Sequence, residues 1–152
     1  KYGLYAFSDS SWTAPKSTCG YAVFMAGGPI SFASRKLNLI ADSSTLAEYS
    51  AVSSCAKETV FIRNVVNELG FPVSAQLVTA VDNDASIKIA QNRGVTKLTK
   101  HFDFSVYRIR EEVESLRTIL AFVPTEAQLA DIFTKSLDEK TYLRLRKFYF
   151  GH

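Results

Sequence analysis

Apolar and aromatic residues come in short blocks at the start of the chain and in helical stripes further on. Residues 4–7 form a short apolar run ending at Ser8-Asp9, the pattern of a strand that delivers Asp9 at its tip. Residues 12–17 hold Pro15 among polar side chains and read as a loop. Residues 20–26 (GYAVFMA) read as a second strand. Gly27-Gly28-Pro29 is turn punctuation, so residues 30–34 are expected to pair back as a hairpin. The first three elements therefore predict an antiparallel meander.

A long helix follows. Ser43, Ser44 and Thr45 offer N-caps, and Thr45 with Glu48 has the spacing of a capping box. Tyr49, Val52, Ala56, Val60, Val65, Val66 and Leu69 keep a helical period, and Gly70 with Pro72 supplies the stop. Residues 76–81 read as a strand ending at Asp82. Asn83 or Asp84 then caps a short helix to about Gln91. Residues 99–116 predict another helix with Phe102, Val106, Ile109 and Val113 on one side. Residues 118–123 predict a fifth strand stopped by Pro124. Thr125 is expected to cap a helix carrying Leu129, Ile132, Phe133 and Leu137. Residues 139–150 predict a last helix with Tyr142, Leu145 and Phe148 inward.

The order βββαβααβαα calls for an α/β fold. Its sheet would be five-stranded and mixed, antiparallel in the first three strands, with helices packed on its faces.

Position singles out four acids. Asp9 and Asp82 stand at strand ends, Glu48 near the start of the long helix, and Asp131 inside a late helix. Taken one at a time, each reads as an ordinary cap, turn residue or surface charge. Taken together they suggest more, because ligands of open α/β sheets gather outside strand ends. Four carboxylates in one place repel one another, and hard divalent cations with oxygen ligands offset that repulsion. Two such ions about 3.5–4 Å apart stabilise the attacking and leaving oxygens of a phosphodiester displacement.

The bulk numbers are consistent with this picture. At 152 residues, 47% hydrophobic and 22% charged, the chain suits one domain, 1–152, with its own core. It has no run of 18 apolar residues, so no membrane span or membrane partner is expected. No secretory signal pattern is present, and Lys1 in place of Met suggests a piece of a longer chain. Cys19 and Cys55 are expected to be buried free thiols in a reducing compartment, with a disulfide as the alternative. With only His101 and His152 beside them they offer no zinc spacing. A net charge of +3 permits a nucleic-acid partner without demanding one.

Six words of the sequence carry a resemblance. Ser8-Asp9-Ser10-Ser11-Trp12 followed by Lys16-Ser17-Thr18-Cys19-Gly20-Tyr21 resembles the SDADW…KSTSGY opening of the ribonuclease H domains of Ty1/copia-type LTR retrotransposons. The stretch GPISFASRK at 28–36 resembles that family's GGPISWSSKKQ, and SSTLAEY at 43–49 resembles SSTEAEY. VDNDAS at 81–86 resembles CDNQSA. TKHFD at 99–103 resembles TKHID, with 108–111 similar to its downstream FIRE. TEAQLADIFTK at 125–135 resembles TEDQLADIFTK. The words run in order from about Phe7 to Leu137. Leu46, Asp84 and Ala127 depart from the pattern, and none of them stands at a presumed ligand position.

The resemblance implies an RNase H-like fold within a reverse-transcriptase polyprotein. It also implies a metal site of Asp9, Glu48, Asp82 and Asp131 holding two Mg²⁺ ions, with Mn²⁺ as a substitute. The implied activity is hydrolysis of the RNA strand of an RNA–DNA hybrid. The implied setting is intracellular, in a cytoplasmic virus-like particle alongside the polymerase domain. The segment 123–126 is short and lacks the His that some relatives carry there, so no such role is assigned. His101 is read as structural or hybrid-contacting rather than catalytic.

Further hybrid contacts are expected from small hydroxyls near the first acid, Ser10, Ser11, Ser17 and Thr18, which also suit ordinary turn chemistry. Asn83 and Ser86 are candidates for the minor groove, and Arg35 with Lys36 forms a basic pair. Lys97 and Lys100, in a stretch with Arg93 and Arg108, are the expected phosphate handle. Arg144, Arg146 and Lys147 read as a solvated helix face. Trp12 is expected to pack rather than stack, and Phe102, Phe104, Phe148 and Tyr149 to join the core. The alternative functions are a catalytically inactive RNase H-fold binding or structural module, and a nuclease of the same fold that prefers DNA.

Overall fold

The computed structural model of the chain describes residues 3–13, 16–37, 44–91, 104–115 and 117–151. Within them run strands β1 (Leu4–Ser11), β2 (Thr18–Met25), β3 (Gly28–Lys36), β4 (Leu77–Val81) and β5 (Thr118–Phe122). The helices are α1 (Ser44–Glu68), α2 (Asp84–Gln91), α3 (Phe104–Glu114) and α4 (Glu139–Phe150). Two 3-10 segments, Thr125–Ala127 and Leu129–Phe133, lie between β5 and α4.

The strands form one mixed sheet in the order β3-β2-β1-β4-β5. β1 pairs antiparallel with β2, and β2 with β3. β1 and β4 are parallel, as are β4 and β5. The expected architecture is therefore the one found. The β2–β3 turn is Ala26-Gly27, with φ of 53° and 85°, the two positive values a tight two-residue hairpin needs. Gly28 and Pro29, expected as turn residues, already belong to β3. Pro29 faces Phe24 where the register shifts. β3 is an edge strand, so the missing proline N–H leaves no inner ladder position unpaired.

One face of the sheet carries α1, α2 and α3. Tyr49 and Val52 pack there with Val81, Ile87, Ile109 and Leu120. Ala6, Tyr21, Val23 and Leu77 pack around Cys55. The other face carries the second 3-10 segment and α4, where Ala22 and Phe24 meet Leu129 and Leu145. This two-sided burial explains why the apolar blocks of β1 and β2 are nearly continuous. Both cysteines are buried and free, and burial pushes the Cys55 thiol up to about 12.

Other sequence-based expectations are corrected by the structure. Thr45 does not cap α1, which already begins at Ser44; Ser43 lies outside the described residues. The expected α1 stripe is covered unevenly towards its end: Val60 and Val66 are half-buried against the core, while Val65 and Leu69 are exposed. That helix still ends as expected: Gly70 has φ of 85°, and the Phe71 N–H closes back onto Val66 O.

The helix expected after Pro124 is two 3-10 segments instead. Gln128 between them is extended (φ −74°, ψ 102°), because its side chain accepts from the Ala130 N–H and donates to Ser8 O at 3.0 Å. On α4, only Leu145 of the three expected inward residues is buried. Tyr142 and Phe148 are exposed, and Tyr149 turns inward, donating to Leu129 O at 2.7 Å. The expected helix 99–116 is described from Phe104 and ends at Glu114. Among the described residues no helix is long and apolar enough to cross a membrane.

Candidate active site

Parallel pairing of β1 with β4 sets the site. The last registered pair is Phe7 with Ala80, and Asp9 and Asp82 each follow by two residues. The two-residue period of a strand puts both acids on one side of the sheet at the same level. Asp9 is not at a strand tip, because β1 runs on to Ser11 through its pairing with β2. It lies beyond the end of the β1–β4 ladder, which opens the edge beside it.

α1 brings the third acid. Glu48 is buried, and its Oε1 accepts from the Ser10 N–H at 3.3 Å, a contact to β1 rather than to its own helix start. Its Oε2 is buried with no hydrogen-bond partner. One carboxylate oxygen from each of Asp9, Glu48 and Asp82 lies within 4.8 Å of the others.

The fourth acid, Asp131, arrives on the second 3-10 segment and is buried. The Thr134 hydroxyl donates to Asp9 Oδ2. Lys135 Nζ lies 3.0 Å from Asp131 Oδ1 and 3.6 Å from Asp9 Oδ1. The Thr125 hydroxyl donates to Asp82 Oδ2 at 3.2 Å instead of capping a helix.

Burial dominates the electrostatics. Desolvation pushes the Asp9 carboxyl up to about 7; the Thr134 hydrogen bond and Lys135 pull against it, and Asp131 and Asp82 push with it. Desolvation, then the Asp9 charge, pushes Glu48 up to about 8. Asp131 is raised by burial. Burial alone would lower Lys135, but its hydrogen bond to Asp131 and the nearby Asp9 hold it above the ordinary lysine value. An all-oxygen donor set, desolvated carboxylates and the unpartnered Glu48 Oε2 together fit a hard divalent cation.

The other expected contacts divide by exposure. Ser11, Thr18 and Lys36 form one cross-strand rank at the sheet edge, with Lys36 Nζ donating to Thr18 Oγ1 at 2.8 Å. Arg35 and Lys36 are exposed, and Asn83 is half-buried and caps α2 through the Ser86 N–H at 3.1 Å. Ser10, Ser17 and Ser86 are buried. Trp12 is 56% exposed, so the core does not cover it. Lys97, Lys100 and His101, with Arg93, Phe102 and the side chain of Phe104, lie outside the described residues.

The sequence offered Thr125 only as a helix cap and gave Gly20, Gln128, Thr134 and Lys135 no role at the site. Lys135 carried a usable signal, since it follows Asp131 by four residues. The others act through long-range contacts that no local pattern encodes.

No family model matches the chain. It is 33% identical over 143 residues to the retrovirus-related Pol polyprotein from transposon RE1 of Arabidopsis thaliana, covering 91% of this chain and 10% of that protein. It is 30% identical over 143 residues to the transposon Ty1-DR5 Gag-Pol polyprotein of Saccharomyces cerevisiae, covering 91% of this chain and 8% of that protein. The chain thus spans about a tenth of the length of these relatives. Among solved structures it is similar to LC11-RNase H1 in complex with RNA/DNA hybrid. The TM-score is 0.64 at 13% identity, over 86% of this chain and 93% of that one.

Proposed function

The chain belongs with the ribonuclease H-fold domains of Ty1/copia-type retrotransposon polyproteins, and from that premise we propose that it is a metal-dependent endoribonuclease cutting the RNA strand of an RNA–DNA hybrid. The observation that carries this reading is the meeting of Asp9, Glu48 and Asp82 within 4.8 Å, with Asp131 joined to Asp9 through Lys135.

Asp9, Glu48, Asp82 and Asp131 would hold two Mg²⁺ ions, or Mn²⁺. Bound there, the ions supply an activated water and charge stabilisation at the attacking and leaving oxygens. The chain's own residues fix the carboxylates in place. The Ser10 N–H orients Glu48, the Thr134 hydroxyl orients Asp9 and the Thr125 hydroxyl orients Asp82. Water attacks a phosphorus of the RNA strand in line, a new P–O bond forms, and the 3′ oxygen leaves with a proton. Ser11, Thr18, Arg35, Lys36 and Asn83 are the hybrid contacts on this edge, and Lys97, Lys100 and His101 complete the proposed set. The 152 residues are read as one ribonuclease H domain of a longer chain. It would work beside the polymerase domain of that polyprotein, inside the cell in a virus-like particle.

The test is a substrate panel of hybrid, duplex RNA and duplex DNA, with Mg²⁺, with Mn²⁺ and with chelator. Metal-dependent cleavage confined to the RNA of the hybrid, lost in Asp82→Asn, is the expected result. Binding without products at any metal concentration favours an inactive module. Cleavage of duplex DNA favours another nuclease of this fold.

A further inference from the structure

Lys135 places a positive charge where the reading above puts metal. Its ammonium stands 3.0 Å from Asp131 Oδ1 and 3.6 Å from Asp9 Oδ1, with 36% of the side chain exposed. Among the described residues no other ion pair is recorded at these carboxylates. The placement is built by the chain. Thr134, one residue earlier, hydrogen-bonds Asp9 Oδ2, so a single short segment engages both oxygens of Asp9. The same segment carries Asp131.

An ammonium bridging two carboxylates occupies oxygens that a divalent ion also needs. A divalent ion carries twice the charge of the ammonium and seeks the same oxygens, so the two cations repel and compete for them. The exposed third of the side chain and its flexible stem give the head a route to solvent.

We propose that Lys135 is a resident counter-cation of Asp9 and Asp131, holding the two acids together in the metal-free protein and leaving them when a divalent ion binds. Lys135 thereby sets the metal affinity of the site. It is a positioning residue, and this role rests on reading the acids as a metal site.

The experiment compares wild type, Lys135→Met and Lys135→Arg without nucleic acid. Thermal unfolding is read in chelator, and Mg²⁺ and Ca²⁺ binding by calorimetry. In chelator, Lys135→Met should unfold lower by about 2–4 °C or more, and Lys135→Arg should recover most of that loss. Lys135→Met should bind either ion more tightly, by roughly tenfold, because the competing charge is gone. If Lys135→Met does not fold, Lys135→Gln carries the same comparison. Wild-type metal binding with equal or weaker affinity in the neutral variant overturns the counter-cation role while sparing the metal site. No binding of either ion by wild type overturns the metal-site reading and this proposal with it.

Discussion

Gly20 stands opposite Asp9 across the β1–β2 ladder, and its missing side chain is what lets the second 3-10 segment close over that acid. A methyl group at Gly20 would lie 2.7 Å from Thr134 Cγ2, 2.8 Å from Phe133 Cβ and 3.4 Å from Ala130 O. Phe133 Cβ is a rigid neighbour, so relief requires the segment to move. That segment carries Asp131, and Thr134 and Lys135 follow directly after it; all three meet at Asp9. Gly20→Ala should therefore cost about 1–3 kcal/mol of stability, as overpacking does. It should also lower hybrid cleavage by at least about tenfold, since small misplacements at a reacting centre are expensive. Thermal unfolding and single-turnover cleavage check this. A variant with wild-type melting and rate would show that the segment yields freely and that Gly20 has no such role.

The raised carboxyls give stability a definite pH dependence. Asp9 titrates near 7 and Glu48 near 8 in the folded protein, each well above its ordinary range. Across roughly pH 4 to 8 the folded state then binds more protons than the unfolded one. Their contribution to stability is complete below about pH 4 and is lost as pH rises through 7 and 8. In chelator the melting temperature should fall steadily from about pH 5 to 8.5. Saturating Mg²⁺ should flatten that slope, and Mg²⁺ affinity should rise over the same window as protons leave the ligands. Scanning calorimetry at several pH values decides it. A metal-free melting point that climbs across this range would contradict the burial argument for both acids.

Much of this site was legible because the relevant signals are local. Asp9 and Asp82 follow apolar strand runs, Glu48 sits on a periodic helix, and Asp131 lies in the word TEAQLADIFTK at 125–135. The misreadings share a physical cause. Thr125 and Thr45 look like caps by spacing, but the Thr125 hydroxyl is claimed by Asp82, 43 positions away, and Glu48 is claimed by Ser10. Trp12 and Phe148 look like core residues by type, and only tertiary packing decides which aromatics are covered. Ser86 looks available beside Asn83, yet the first turn of α2 turns it inward.

Thr125 gives a milder test of how the acids are held. Its hydroxyl donates to Asp82 Oδ2 at 3.2 Å from an exposed position. Thr125→Val keeps shape and removes the donor. Partners of metal-ligating carboxylates typically contribute about 10–100-fold to metal affinity or activity, and exposure places this one near the lower end. The Mg²⁺ concentration for half-maximal cleavage should rise by up to about tenfold with little change in melting temperature. An unchanged Mg²⁺ dependence would mean that Asp82 is oriented without Thr125.

Gln128 joins the two halves of the site, and its removal should separate fold from metal response. It is fully buried, with its amide N–H donating to Ser8 O at 3.0 Å and its carbonyl accepting from the Ala130 N–H at 3.2 Å. The first bond holds it to β1, one residue before Asp9. The second sets the start of the 3-10 segment that carries Asp131. Gln128→Leu fills similar volume but leaves a buried backbone donor and a buried acceptor without this partner, at about 1–3 kcal/mol for each. The melting temperature should drop by several degrees in chelator. More telling, the rise in melting temperature on adding Mg²⁺ should shrink, because Asp131 is no longer pinned beside Asp9 and the folded state binds metal less well. A purely structural role would lower both melting curves equally and leave the metal-induced difference intact. Equal metal-induced shifts in Gln128→Leu and wild type would therefore sink the claim that this amide registers Asp131 against Asp9.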